Sequence, residues 1–474
     1  MRYSNPEQLC FPPVAGQTLR ADFEGGALSS DVGALLLRGI DRQMGLTQRL
    51  AAAIHAKRHQ SSIDPPLRDL LAQRISQLAS GYADANDAKH LRHDPGFTLG
   101  VERPPVDPTH DWASAPTFSR LELHIDRQDL SRLTQAFVDH FIASYAAPPA
   151  AIILDLDHSE DPTYGQQEFA FSHHHYKNHG YLPLCIFAGT SQAWVMASLR
   201  PGTRPPGTEH ARILVRLLSY RRRHWPSTHI LVRGASHCAT PEVMDVIASY
   251  RWTDCVFGLA GNAVLLRQAA AILQEARRLQ HHRGALAQAH GPAPPPRSRL
   301  YDAFVYAAGS WARPWRVVLK ADGMQADDTP RFVVTSLAAP TPQMLYEDLY
   351  CARGTGDKAI KASKNDLHSA RTAATTFLAN ARRLRLACAA YGLHHALRTP
   401  TLQHTALAQA HPSTVILTLC KIATQIQQYK DRLLLHLPSS CPVKALVQRV
   451  TTLLCAVPEP VGNTSEAARR PMPR

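Results

Sequence analysis

The 474-residue sequence predicts a mixed α/β protein, with a sheet core preceded by a helical N-terminal region and followed by further helices. Three observations lead there. Between Ala151 and Leu259, short apolar runs alternate with amphipathic stretches, the pattern of a sheet with helices on its faces. Before Pro148 and after Gln343, apolar residues recur instead at three- and four-residue spacing. The apolar fraction of 45% is enough to bury a sizeable core. At roughly 100–200 residues per domain, the length allows two to four domains.

Residues 1–147 are expected to be helical. Val32, Leu35, Leu36, Ile40, Leu46 and Leu50 mark one stripe between Ser29 and His59. Leu67, Leu70, Leu71, Ile75 and Leu78 mark another between Pro66 and Tyr82. Pro104, Pro105 and Pro108 interrupt the pattern, and a third helical stretch, Ser119 to Tyr145, ends at an Ala-Ala-Pro-Pro linker. Residues 150–288 form the first part of the core. Strands are expected over Ala151–Asp157, Leu182–Ala188, Ala193–Leu199, His229–Arg233 and Cys255–Leu259. Helices are expected over Thr208–Trp225, Pro241–Tyr250 and Ala263–Gln288. After a Pro-rich loop at 292–296, residues 297–340 carry three short strands, Phe304–Tyr306, Arg316–Lys320 and Phe332–Thr335. They read as a β insertion outside the first sheet. Residues 341–457 are expected to be helical, and 458–474 a polar tail.

Lys plus Arg number 52 against 38 Asp plus Glu, a formal net charge of +14. That excess favours a polyanionic partner, nucleic acid or an anionic membrane surface. No run of 18 apolar residues exists, which argues against a spanning helix. The opening MRYSNPEQLCFPP has no apolar signal core, so secretion is not expected. Nine cysteines, none in a C-x-x-C pair, fit reduced thiols in a cytoplasmic setting better than a disulfide framework or a structural zinc site.

Two features could carry chemistry. Asp155 and Asp157 end the first strand, and the two-residue period puts both on one face, opposite Leu154 and Leu156. Carboxylates at a strand end can hold a hard divalent cation, or be ordinary acids at a terminus. Tyr350, Arg353, Asp357, Lys361 and Lys364 fall on one narrow helical stripe. One acid among bases suits a cation beside a phosphodiester, the bases clamping phosphates. A salt-bridged, solvated helix face has the same pattern, and Gly354 and Gly356 weaken the helix by about 1 kcal/mol each.

The two features belong to a longer series. Asp157-His-Ser159 is followed by Gly165-Gln-Gln-Glu168, Tyr181-Leu-Pro-Leu184, Leu199-Arg-Pro-Gly202 and Arg233-Gly-Ala-Ser-His237. Then comes Tyr-x2-Arg-x3-Asp-x6-Lys at Tyr350, Arg353, Asp357 and Lys364. This series closely resembles the DDE transposases of bacterial insertion sequences, in the group with a Y-x2-R-x3-E-x6-K signature. The resemblance runs from about Leu28 to Thr451 and is most specific over 154–207, 225–262 and 342–365. It implies an RNase H-like core with a β insertion before the last catalytic helix. It also implies three carboxylates holding two divalent ions, Mg2+ or Mn2+, for hydrolysis and strand transfer. Asp157 matches the first acid and Asp357 stands where the signature has Glu, so both are expected as catalytic and metal-binding residues. Tyr350, Arg353 and Lys364 match positions that contact DNA phosphates. The implied partners are double-stranded DNA, at terminal inverted repeats and target, and a second copy of the chain in a homodimer. Residues 1–147 would bind the element ends.

The second acid is missing: the R-G-D-S-type motif reads Arg233-Gly-Ala235-Ser here. Asp245 and Asp254 lack strand-end placement and are not expected to substitute. Reduced or lost strand transfer is therefore expected, while DNA binding, which draws on dispersed bases, need not be lost. The alternative is a non-catalytic DNA-binding derivative that occupies element ends. Other candidates weigh less. His173-His-His175 beside Tyr176 gives no tetrahedral set by its spacing. Arg221-Arg-Arg-His224 suits a helix C-terminus or a phosphate. Arg382, Arg383 and Arg385 could line DNA, and Cys238 reads as an inert buried thiol.

Overall fold

The computed structural model describes residues 9–55, 65–102, 112–173, 177–290, 297–323 and 330–456. Outside them lie the three prolines of 104–108, His174, His175 and Tyr176, the loop at 292–296 and the expected tail. The chain forms two compact units. One takes residues up to Asp129, 366–368 and 389 onward; the other takes 130–365 and 369–388.

The strands in chain order are β1 (Leu9–Val14), β2 (Gln17–Ala21), β3 (Leu28–Ser29), β4 (Ala151–His158), β5 (Asp161–Pro162), β6 (Phe171–His173), β7 (Asn178–Tyr181) and β8 (Leu184–Ala188). They continue with β9 (Trp194–Ser198), β10 (His229–Gly234), β11 (Thr253–Leu259), β12 (Arg299–Tyr306), β13 (Trp315–Asp322), β14 (Arg331–Thr335), β15 (Thr424–Gln428) and β16 (Leu433–His436).

The unit of 130–365 and 369–388 is built on an eight-stranded sheet of order β12-β13-β14-β11-β10-β4-β8-β9. β10 runs parallel to β4 and to β11, and the other pairs are antiparallel. An antiparallel β9-β8-β4 set, with β10 and β11 added parallel to β4, is the RNase H-like core. Its two faces follow from the alternation along β4. Ile152, Leu154 and Leu156 face a core with Leu214, Leu217 and Leu218 of the helix Gly207–His224 and Val243, Met244 and Ile247 of the helix Pro241–Ser249. Ile153 faces the other way, toward Leu231, Val256, Val318, Val333, Leu345 and Tyr346. The segment from Pro342 to Asp366 therefore packs on the Asp155 and Asp157 side of the sheet.

The expected β insertion lies in this sheet rather than outside it. β14 pairs antiparallel with β11, from Val256 opposite Thr335 to Leu259 opposite Phe332. The reason is burial on both faces: Val317 and Leu319 join one core, Val318 and Val333 the other. The strands are also longer than their apolar cores alone suggest.

In the other unit, helices Ala34–Met44, Leu46–Ala53 and Leu67–Ala79 follow the expected stripes. The first stretch is broken at Gly45, whose φ of +65° caps one helix and starts the next. Between the linker and this region, the third expected stretch is two helices, Ala115–Leu123 and Arg127–Ala143. Two corrections concern strands where helix was expected. Residues 9–21 form the β1–β2 hairpin, turned at Ala15 and Gly16, both at positive φ. Residues 424–436 form β15 and β16, and β3 pairs with β15. Thr424 and Ile426 are buried, alternating with the half-buried Gln425 and Gln427, a period of two inside a region read for its helical period.

Leu154 is completely buried at the centre of the sheet. Leu154→Ala is expected to lower stability by about 2–5 kcal/mol, read as an earlier urea midpoint with an unchanged m-value.

Candidate active site

Asp157 is the penultimate residue of β4, with its backbone in register with Cys185 of β8. Its carboxylate meets the segment on that face of the sheet. The Arg353 guanidinium donates to Asp157 Oδ2 at 2.8 Å, and the same nitrogen lies 3.6 Å from Asp357 Oδ1. Asp157 and Asp357, 200 positions apart in sequence, are thus held side by side by one guanidinium. Burial, and then that contact with Asp357, push the Asp157 carboxyl well above the usual carboxylate range, against the pull of Arg353. The pair is thus brought together by the fold and is short of positive charge.

The segment that supplies Arg353 and Asp357 is not one regular helix. Leu345–Tyr350 winds as a π turn, Cys351–Arg353 as a 3₁₀ turn, and Gly354–Asp366 as α-helix. Across the irregularity Arg353 and Lys364 still reach Asp157 on β4 and Glu160 just after it. Tyr350 packs against Tyr346, with ring centroids 5.6 Å apart, and its hydroxyl approaches Gly258 so closely that a Cβ there would sit 2.6 Å from it. Lys364 donates to the Glu160 carbonyl and lies 3.9 Å from Asp161. Lys361 is exposed.

Asp155, the first of the paired acids, is spent on structure. Its carboxylate takes two hydrogen bonds from Arg233, at 2.6 and 2.7 Å, with both side chains buried. Arg233 also donates to the Leu349 carbonyl, tying β10 to the helical segment. Ala235 follows Gly234, whose register partner is Leu156, so one further step places Ala235 level with Asp157. A carboxylate there would stand beside the acid pair. Asp254 pairs in register with Leu231, and Leu231 with Ile153. It therefore lies four residues, about 13 Å, short of Asp157 along the sheet. Its carboxylate is engaged by His229 and Ser336. Asp245 is exposed on the helix Pro241–Ser249.

Sequence reasoning missed a histidine cluster beside this site. His158 Nδ1 lies 2.7 Å from His237 Nε2, and His158 Nε2 lies 3.0 Å from His210 Nε2. Burial is the main reason all three are held neutral, His158 down to about 2 and His210 and His237 to about 4. His158 and His237 flank the acid motifs in sequence, but nothing marks His210 except proximity in the fold. The rings bond to one another in a chain. Among the described residues no group of three His, Cys, Asp or Glu side chains is arranged to hold a metal ion. Asp157 and Asp357 are hard oxygen donors of the kind Mg2+ takes one or two at a time, completing its shell with water and substrate oxygens. Cys238 is buried, and burial pushes its thiol up to about 12. Arg385 is buried and bonded to Thr134 and the Ala381 carbonyl, which removes it from a DNA-facing role. Arg382 and Arg383 are buried as well.

Two measurements check these contacts. Arg233→Ala leaves Asp155 as a buried, unpaired charge, with an expected cost of about 3–5 kcal/mol in chemical unfolding. Asp161 is fully buried, and burial pushes it up to about 7 against Lys364. The native state then keeps a proton that the unfolded chain has already lost. This contribution is complete below about pH 4 and disappears as pH rises toward 7. Asp161→Asn is expected to remove that fall in stability, and an unchanged pH profile of unfolding would count against it.

The family described as "Transposase DDE domain group 1" matches residues 11–458. No curated protein sequence matches. A piggyBac transposase, solved by cryo-EM in a synaptic complex with hairpin DNA, aligns over 82% of this chain and 80% of its own at 11% identity, with a TM-score of 0.41. Because the family match spans nearly the whole chain, from the N-terminal hairpin through the acid pair to the last helix, the protein belongs to the DDE transposases.

Proposed function

We propose that this transposase binds double-stranded DNA at the terminal inverted repeats of a bacterial insertion sequence, and that its own cleavage and strand transfer are impaired. The observation that carries the reading is the meeting of Asp157, Arg353 and Asp357 with Ala235 level with them. Asp157 and Asp357 would hold a single Mg2+ or Mn2+, which when bound supplies Lewis-acid activation at the scissile phosphate. Arg353 is shared by the two acids, and it would be free to meet a phosphate where a cation took over that charge. Tyr350 and Lys364 flank it and would fix the phosphodiester backbone. Without a carboxylate at position 235, a second ion lacks its protein ligand. Asp357, one methylene shorter than Glu, reaches less far toward the first.

DNA binding is carried by the excess of bases rather than by the acids, so it survives the loss of chemistry. No helix among the described residues is long and apolar enough to cross a membrane. A homodimer pairing two ends, working in the cytoplasm at the nucleoid, is the assembly this reading entails. The second reading, a wholly non-catalytic derivative that occupies element ends, is favoured by the same Ala235.

Mobility shift and cleavage on one inverted-repeat duplex separate the readings. Binding is expected to fall steeply with salt, with a slope of about 0.9 per phosphate contacted. Nicking with Mg2+ or Mn2+ is expected to be weak, and Ala235→Asp combined with Asp357→Glu is expected to raise it at least tenfold. Strong nicking by the unmodified chain would overturn the impairment. No gain in the double variant would favour the non-catalytic derivative.

A further inference from the structure

Three arginines of the unit that holds the start of the chain converge on one carboxylate. Arg38 and Arg42 stand one turn apart on the helix Ala34–Met44, and Arg68 lies in the first turn of the helix Leu67–Ala79. Glu102, three residues past the helix Pro95–Leu99, receives all of them. Arg38 reaches its Oε1 at 3.1 Å and Arg42 the same oxygen at 3.5 Å, while Arg68 reaches Oε2 at 3.5 Å. Burial alone would push the Glu102 carboxyl up, but Arg38, Arg68 and Arg42 outweigh it and hold it below the usual range.

Three features separate this cluster from a fold-holding ion pair. The fit is loose: Arg233 meets Asp155 at 2.6 and 2.7 Å and Arg353 meets Asp157 at 2.8 Å, whereas the shortest contact from these arginines to Glu102 is 3.1 Å. Charge-assisted bonds close to about 2.7–2.9 Å where geometry allows, so the three arginines frame a space wider than a carboxylate fills. The cluster is accessible, its four side chains being between 30% and 49% exposed. Glu102 is also held at a φ of +69°, a region that disfavours a residue with a Cβ.

The surroundings indicate the anion. Arg38 and Glu102 line a hollow of about 580 Å³ together with Tyr429, Lys430, Asp431 and Arg432 at the turn of the β15–β16 hairpin. Lys430 and Arg432 thus continue the basic surface beyond Arg38, as a row of phosphates needs and a single small anion does not. Asp41 and Asp69 border the cluster too, and Asp41 accepts from the Thr47 N–H at 2.9 Å. With those acids in place, guanidinium charge becomes available to a ligand only where Glu102 sits. A phosphodiester carries the same single charge as Glu102, is bulkier, and accepts paired arginine N–H groups on its two free oxygens.

We infer that Arg38, Arg42 and Arg68 form a clamp for a DNA phosphodiester, and that Glu102 fills it until the DNA displaces the carboxylate. The inference rests on the proposed DNA-binding reading, to which it adds a contact in the unit that lacks the acid site. The test is fluorescence anisotropy of the full chain on a fully paired duplex of the DNA end flanking its gene, titrated with salt. Glu102→Gln keeps the size of the side chain, removes the competing charge and is expected to tighten binding by about 2- to 5-fold, the strength of one exposed ion pair. Glu275→Gln changes the net charge equally, by releasing Arg278 on the helix Ala263–His290, and is expected to leave affinity unchanged. Arg38→Ala combined with Arg68→Ala is expected to lower the slope of log K against log salt by about 0.9, one phosphate lost. In that background Glu102→Gln should no longer tighten binding. A fold-holding network gives the opposite result: Glu102→Gln would weaken binding or leave it unchanged while lowering the melting temperature. That outcome overturns the inference alone, as does equal tightening by Glu275→Gln. Should the arginine variants fail to fold, the two glutamine variants decide between the outcomes. If wild type does not bind the duplex, the DNA-binding reading fails and takes the inference with it.

Discussion

The site depends on the two-residue period of β4. Leu154 and Leu156 must face the helices Gly207–His224 and Pro241–Ser249, because their burial holds the sheet to that layer. The pleat then leaves Asp155 and Asp157 no choice of side. They emerge on the face that the segment Pro342–Asp366 covers, and so acids from distant parts of the chain meet. A one-residue slip would put leucines at the site and carboxylates in the core.

Charge on that face is matched at one acid and short at the next two. Asp155 is neutralised by Arg233, which also anchors the Leu349 carbonyl. The next acid outward, Asp157, shares Arg353 with Asp357. The first pair is dry and structural. The second is more open at Asp357, and burial, then the contact with Asp357, raises Asp157. This gradient from sealed to open along one strand separates a fold-holding ion pair from a more accessible one. The neutral histidines beside it add no charge of their own, so Arg353 carries the electrostatic balance there.

Much of the core was legible in the sequence. Strands such as Ala151–His158 and His229–Gly234 are short apolar runs with clear ends, and helices such as Gly207–His224 carry a strong stripe. Misreadings came where the local pattern was weak or mixed. The β1–β2 hairpin is exposed throughout and has no buried face to set a period. β15 hides two buried residues among glutamines. The strands β12 to β14 looked separate because pairing partners far apart in sequence leave no local trace, and β11 lies about 75 residues before β14.

The sequence by itself singled out Asp157, Asp357, Tyr350, Arg353 and Lys364, and Ala235 in place of an acid, through their resemblance to the DDE series. Residue type and interval are local properties, and a linear reading recovers them. Only the tertiary structure decided how these groups are used. It paired Asp155 with Arg233, set Arg353 between the two remaining acids, and linked His158, His210 and His237. Those outcomes depend on distances and burial between segments as much as 200 residues apart, and hydrogen bonding and desolvation act through space rather than along the chain.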